Sequence, residues 1–375
     1  MVNPLRKAIL AINDYGYAGL RPLLFRRPAQ EWHEQILDTL AQADASNVQC
    51  VIAETVHQLS FRKLEITMGG VQLNHPFILA AGFVKGLGFA SEDEALHAVE
   101  SGVNIIPGWK SMPKLVGLVE FGSFTRYPRV GNADTVMWRD AKTKSTQNRI
   151  GLKNPGVEAA SAFLLKNILE LPHVFGINVA VSPGVDDEQA VVDVRESFSA
   201  FLKRGIVPNW FTLNVSCPNT EDDPSGNQTE QLTRALCETT LDTITQAGYA
   251  TPLWVKLGPD LAESQYRLLM TLFDEIGVKA VVATNTLAKP TPIDPNLQAG
   301  VGGGVLHPHA LDTASLLQSE KQRCGYNVDI IGCGGVMDGE SYLAYKVRGI
   351  PVVQYWSALV FRGPLAASII ESELS

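Results

Sequence analysis

The sequence predicts a (β/α)8 TIM barrel, an α/β fold, preceded by an N-terminal helical extension. Three observations predict it. From residue 77 onward, short β-branched runs alternate with longer amphipathic runs, the pattern of βα units on a parallel sheet. The strand-like runs number eight, and each is followed by a helix-like run. Most helix-like runs begin near Asp, Glu, Ser or Thr and stop at Gly, as N-capping and a left-handed C-terminal stop require. Eight successive units with no switch point close into a barrel more naturally than they open into a doubly wound sheet.

In chain order, residues 1 to 47 read as a separate segment of short helices, KAILAI, GLRPLLF and EWHEQILDTLAQ, and residues 48 to 375 as the barrel domain. Arg62 to His75 alternates around Gly69-Gly70 and reads as a hairpin closing the barrel floor. The expected strands are Phe77 to Phe83, Val116 to Ser123, Val174 to Val181, Trp210 to Val215, Leu253 to Leu257, Ala280 to Asn285, Asp329 to Gly332 and Val352 to Ser357.

Composition narrows the function. With 45% hydrophobic and 19% charged residues in 375, the chain can bury a sizeable core, and disorder is excluded. No apolar run reaches the roughly 18 residues of a spanning helix. A net charge of −8 argues against nucleic acid as a partner. The first thirty residues are nevertheless basic, with Arg6, Lys7, Arg21, Arg26 and Arg27 against Asp14 alone. Those helices read either as a capping subdomain or as an amphipathic patch that docks on lipid. The start lacks the features of a cleaved signal and is expected to be retained. Cys50, Cys217, Cys237, Cys324 and Cys333 contain no CxxC pair, so free thiols are expected and no metal or iron–sulfur site.

Barrels place their chemistry at the C-terminal ends of strands, so polar residues interrupting those ends are informative. Lys85 follows the first strand, Asn178 lies in the third, and Asn214 ends the fourth ahead of Ser216, Cys217 and Asn219. Lys256 interrupts the fifth, and Thr284, Asn285 and Thr286 end the sixth. One buried Asn is usually structural, but a cluster of non-ionising amides suits a planar ligand with alternating C=O and N–H groups, such as a reduced pyrimidine or a flavin. The set is almost devoid of acids, and its two lysines suit a carboxylate or a developing anion. Gly332 to Gly335 and the Trp356-Ser357 end lie where barrels commonly bind phosphate. Gly302 to Gly304 is a second candidate or a flexible loop. Cys217 reads as a nucleophile or proton acceptor, against the alternative of an inert thiol. His307 and His309 read as helix caps, His75 as part of the floor, and His33 by composition as a surface histidine.

Several motifs, in order, are similar to the dihydroorotate dehydrogenase family and in particular to its membrane-associated, quinone-using class. They are LAAGFVKG (79–86), FGSFTRYPRVGN (121–132), NRIGLKNPG (148–156), NVSCPNT (214–220), VKLGPDL (255–261), ATNTL (283–287), IIGCGGV (330–336) and VVQYWSALVFRGP (352–364). The resemblance implies an FMN-containing barrel that oxidises dihydroorotate to orotate. It implies that Lys85, Asn148, Asn214, Asn219, Asn285 and Thr286 hold the pyrimidine, and that Cys217 takes the C5 proton while hydride passes from C6 to the flavin. Lys256 would face the flavin's N1 edge, with Ala81, Gly82, Ser123, Asn178 and Thr284 along the ring and ribityl chain. Gly303, Gly334, Gly335, Trp356 and Ser357 would surround the phosphate end.

YAGLRPLLFRRPAQEWHEQIL (17–37) resembles the quinone entrance of that class, with His33 and Arg139 at its quinone-site positions. This implies a quinone acceptor and peripheral attachment to the cytoplasmic membrane, without an iron–sulfur partner subunit. The chain departs from the pattern at Cys217, where quinone-using relatives carry Ser, at Val84 and Gly86, at residues 180–183, at Trp356 in place of Tyr, and in an extra segment between the first two strands. The second reading is a divergent relative acting on another cyclic pyrimidine-like substrate, or binding FMN without turnover.

Overall fold

The computed structural model describes residues 4–216 and 229–374. Three helices come first: α1 (Pro4–Leu24), α2 (Ala29–Ala45) and α3 (Asn47–Ser60). KAILAI and GLRPLLF thus form one helix instead of two, and residues 47–60 add a helix that the sequence reading left unassigned. A hairpin of β1 (Ile66–Met68) and β2 (Val71–Leu73) follows, as expected for the floor. The barrel starts with β3 (Phe77–Leu79), α4 (Glu92–Glu100), α5 (Ser111–Val116) and β4 (Val119–Phe124). A pair, β5 (Met137–Asp140) and β6 (Ser145–Asn148), precedes α6 (Gly156–Lys166). Regular units then run through β7 (Phe175–Ala180), α7 (Asp187–Leu202), β8 (Trp210–Asn214), α8 (Glu230–Gln246), β9 (Leu253–Leu257), α9 (Glu263–Ile276) and β10 (Ala280–Ala283). After β11 (Leu287–Pro290) and β12 (Gln298–Gly303), the chain ends with α10 (His307–Cys324), β13 (Asp329–Cys333), α11 (Gly339–Lys346), β14 (Val353–Tyr355), α12 (Ser357–Arg362) and α13 (Ala366–Ser372).

The eight expected strands close into one parallel barrel in the order β3-β4-β7-β8-β9-β10-β13-β14, with Val353 to Tyr355 pairing back onto Phe77 to Leu79. Strand alternation sends one set of side chains inward. Ile78, Trp210, Trp254, Val282, Ile331 and Val352 pack inside with Met68, Val71 and Leu73 of the hairpin. The Trp210 and Trp254 rings stack at 4.6 Å, and Trp254 Nε1 donates to Gly69 O at 2.9 Å. Gly69 has φ +56, and a Cβ there would sit 2.4 Å from Trp254 Nε1, so this turn of the floor requires glycine. The opposite set packs against the surrounding helices as the larger apolar cluster.

At the other end of the barrel, β11, β12, β6 and β5 form a small antiparallel sheet that the sequence reading did not foresee. It makes Gly302 and Gly303 part of a strand, which corrects the flexible-loop alternative for that glycine run. The extra segment after α4 also acquires a role. The Asp44 carboxylate at the end of α2 accepts from the backbone N–H groups of Gly108, Lys110 and Ser111, from Ser111 Oγ and from Asn104 Nδ2. It thereby caps α5 and ties α2 to the barrel.

The expected segment boundary after residue 47 falls at the first turn of α3. Helix α1 lies on the C-terminal helices through an apolar cluster of Leu10, Leu365 and Ile369 and through polar contacts. Arg6 is buried, pairs with Glu371 at 2.5 Å and donates to Ser60 O at 2.7 Å. Asp14 pairs with Arg362 at 3.0 Å, Tyr17 OH donates to Val360 O, and Arg21 donates to Phe361 O. Arg6→Ala removes the buried partner of Glu371, which keeps only the more exposed Arg62 at 3.1 Å, and should lower the unfolding free energy by about 3 kcal/mol. Urea unfolding measures it, and a loss within about 0.5 kcal/mol, as for a surface pair, would contradict the assignment.

Candidate active site

The C-terminal ends of the strands meet in a pocket roofed by the small sheet. Its walls come from Ala80, Ala81, Gly82 and Lys85 after β3, Ser123 on β4, Asn148 on β6, Asn214 on β8 and Lys256 on β9. Thr284, Asn285 and Thr286 after β10, Gly303 on β12, Gly334 and Gly335 after β13, and Trp356 and Ser357 after β14 complete it. Closure of the barrel therefore gathers residues spread over more than 270 positions of sequence. No carboxylate lines the pocket among the described residues.

The amides are held by their own neighbours. Asn214 Oδ1 accepts from Ser216 N at 3.1 Å and Oγ at 3.3 Å, leaving Nδ2 toward Ser123 Oγ at 3.4 Å. Asn285 Oδ1 accepts from Thr286 N at 2.8 Å, and its Nδ2 donates to Ser216 O. Ser216 Oγ also donates to Lys256 O at 3.1 Å, so the chain is anchored up to the residue before Cys217. Cys217 and Asn219 lie outside the described residues. Thr146 and Ser357 share a hydrogen bond of 2.6 Å, and a Cβ on Gly302 would land 3.3 Å from Ser357 Oγ and 3.6 Å from Thr146 Oγ1. That glycine keeps a hollow open beside two hydroxyls.

Asn178 stands apart. It is fully buried on β7, does not line the pocket, donates through Nδ2 to Glu120 at 2.9 Å, and leaves Oδ1 without a partner. Glu120 is not among the pocket walls; it lies fully buried inside the barrel, and Gln354 bonds it from β14. Glu120 and Gln354 are polar residues within apolar strands, as Asn178 and Lys256 are, but neither is among the expected site residues.

His33 on α2 is brought to the pocket's edge. Its ring centroid is 6.2 Å from that of Phe83 and 6.4 Å from that of Trp356. Burial, with the charges of Lys85 and Lys153, lowers its pKa to about 4. Arg139 on β5 lies 4.3 Å over the Phe25 ring and donates to Leu24 O and Arg27 O, capping the carbonyl end of α1. His75 sits on the floor as expected, where burial pushes it down to about 3, and His307 opens α10 with Nδ1 3.2 Å from Gly334 O. Burial raises the Cys333 thiol, against the nearby Lys256 charge.

A closed (β/α)8 barrel whose polar groups converge on a pocket at the strand C-termini is the architecture of a barrel enzyme. The chain belongs to the dihydroorotate dehydrogenase family, whose sequence profile matches residues 63–375. Among curated relatives, the dihydroorotate dehydrogenase (quinone) of Haloarcula marismortui is 30% identical over 357 residues, covering 94% of this chain and 92% of the relative. The protein of the same name from Chloroflexus aurantiacus is 29% identical over 357 residues, covering 92% of each. The fold matches a DHODH of Eimeria tenella solved in complex with ferulenol, with a TM-score of 0.72, 21% identity, and coverage of 92% of this chain and 90% of that one.

The buried histidines make stability depend on pH. Unfolded histidines protonate near about 6.5, whereas folded His33 stays neutral down to about 4 and His75 to about 3. Between those values the unfolded chain binds more protons, so their contribution is complete above about 6.5 and is lost as pH falls toward 4 and 3. Urea unfolding across this range should show that decline, and His33→Phe should make it shallower. Equal slopes in both proteins would contradict the buried, neutral state of His33.

Proposed function

We propose that this chain oxidises dihydroorotate to orotate, with FMN as resident cofactor and a quinone as final acceptor. The observation that carries the reading is the pocket itself, in which Lys85, Asn148, Asn214, Asn285, Thr286 and Lys256 converge without an acid among its described walls. Such walls suit a planar, amide-bearing substrate that carries a carboxylate. The residues also fit FMN, since Gly302 leaves room beside the Thr146 and Ser357 hydroxyls, and Gly334 and Gly335 line the same pocket. When bound, FMN would accept the hydride.

The chain's own residues do the rest. The amides of Asn148, Asn214 and Asn285 orient the ring, and Lys85 binds its carboxylate. Cys217 takes the C5 proton, and a thiol with an ordinary pKa of about 8.5 is a better base near neutrality than a hydroxyl. Asn219 completes the substrate set from the same segment. Lys256 would face the bound cofactor, and Ala81, Gly82, Ser123, Thr284, Gly303, Trp356 and Ser357, which line the same pocket, would enclose it.

For the acceptor, His33, Phe83 and Trp356 form an aromatic connection between α2 and the pocket, with Arg139 at the turn joining α1 to α2. Helix α1 supports peripheral attachment at the cytoplasmic membrane. Its charged face is turned inward onto the C-terminal helices, while Leu5, Ile12, Tyr15, Leu20 and Leu23 form an exposed stripe, with Ile12 74% and Tyr15 80% accessible. A helix apolar on its outer side suits a lipid surface. No helix among the described residues is long and apolar enough to cross a membrane.

Anaerobic mixing with dihydroorotate should bleach the oxidised-flavin absorbance, and an unchanged spectrum would redirect the search to other reduced heterocycles. Cys217→Ala should retain FMN but lose at least about a hundredfold in the rate of bleaching; a near-normal rate would remove Cys217 as the base. Replacing Ile12 and Tyr15 together by Glu should weaken sedimentation with phospholipid vesicles and leave bleaching by dihydroorotate intact. Undiminished vesicle binding would count against α1 as the docking face.

A further inference from the structure

The barrel interior contains a charge that the reading above leaves unused. Glu120 points inward from β4 with no solvent exposure, in the zone that such barrels ordinarily fill with branched apolar side chains. A buried carboxylate is costly unless its oxygens are satisfied, and these are. Oε1 accepts from Asn178 Nδ2 at 2.9 Å. Oε2 accepts from Trp210 Nε1 at 2.8 Å, Thr212 Oγ1 at 2.7 Å and Gln354 Nε2 at 3.1 Å.

The last of these bonds has a directional effect. An ionised carboxylate only accepts, so Gln354 must turn its NH2 group toward Glu120 and its carbonyl oxygen away. That oxygen accepts from Lys256 Nζ at 3.3 Å. Lys256 is 5% exposed and lines the pocket, and its ammonium has donors only. The two bonds run in one sense, ammonium to amide to carboxylate, so each polarises the next. An amide free to rotate would present donors to Lys256 as readily as an acceptor.

We propose that Glu120 is a positioning residue of the active site: by fixing the Gln354 amide it holds the Lys256 ammonium against the cofactor-facing side of the pocket. The proposal rests on the reading that FMN sits there with Lys256 toward it. Loss of the anchor makes the flavin harder to reduce, because a fixed positive group no longer meets the negative charge that reduction develops. A carboxylate acting only as a distant charge would do the reverse, since its removal relieves repulsion and eases reduction. The sign of the change separates the two.

The test uses the full chain loaded with FMN, with the flavin midpoint potential as readout and FMN dissociation as a second. Gln354→Met and Glu120→Gln should each disfavour flavin reduction by about tenfold in the equilibrium constant. Lys256→Met should disfavour it at least as much, and adding Glu120→Gln to that variant should cause no further fall. Easier reduction in Glu120→Gln, or an equal fall with and without Lys256, would overturn the proposal. Should Lys256→Met keep the wild-type potential, the placement of Lys256 against the flavin fails and the proposal with it. A shift in Lys256→Met with none in the other two variants rejects the proposal alone. Gln354→Met leaves Glu120 its three other donors, so it carries the test if Glu120→Gln does not fold: a fall supports the proposal and an unchanged potential overturns it.

Discussion

Closure of the parallel sheet is the constraint from which the rest follows. Pairing β14 onto β3 leaves no strand edge, turns one side chain in two toward a shared axis, and points all eight C-terminal ends at one mouth. Apolar rings and branched chains fill the lower interior, where Trp210 and Trp254 stack above the hairpin. Higher up, the inward positions are Glu120, Asn178, Thr212, Lys256 and Gln354, a polar layer made tolerable by mutual hydrogen bonding. The site rests on this layer, so its floor is as rigid as the barrel that encloses it.

The groups outside the barrel are fastened to it by charge as well as by apolar packing. Asp44 secures the end of α2 with five donors, Arg139 caps α1, and Arg6, Asp14 and Arg21 bind α1 to the C-terminal helices. A helix seated in part through polar contacts is free to present other apolar side chains to the surroundings. The local excess of positive charge near the start of the sequence thus has two uses. Arg6 and Arg21 turn inward, while Lys7, Arg26 and Arg27 remain exposed.

The eight strands were legible because buried parallel strands read as β-branched runs bounded by turn residues. The pocket residues were legible because a polar residue at the end of such a run is conspicuous. Gly16 and Gly19 resemble breaks within α1, yet each costs only about 1 kcal/mol, and the inward ion pairs and the Leu10 cluster hold the helix as one. Within α3, Val48, Val51, Ile52, Thr55 and Val56 favour strand locally, and packing on α5 with the Ser46 N-cap decides for helix. The four-stranded roof joins segments more than 130 residues apart, and no local pattern reveals such pairing. Glu120 required knowing which side of β4 faces inward.

The ties between α1 and the C-terminal helices also order events in time. Asp14 and Arg362 are 348 residues apart, and Arg6 and Glu371 are 365 apart. During synthesis α1 precedes the barrel, and although Arg6 can meet Ser60 early, the carboxylate and guanidinium that pair with Arg6 and Asp14 are made only after nearly the whole barrel has been translated. Its outward apolar stripe acquires a fixed orientation only at that point. A chain of this design completes its barrel before it fixes the outer side of its first helix.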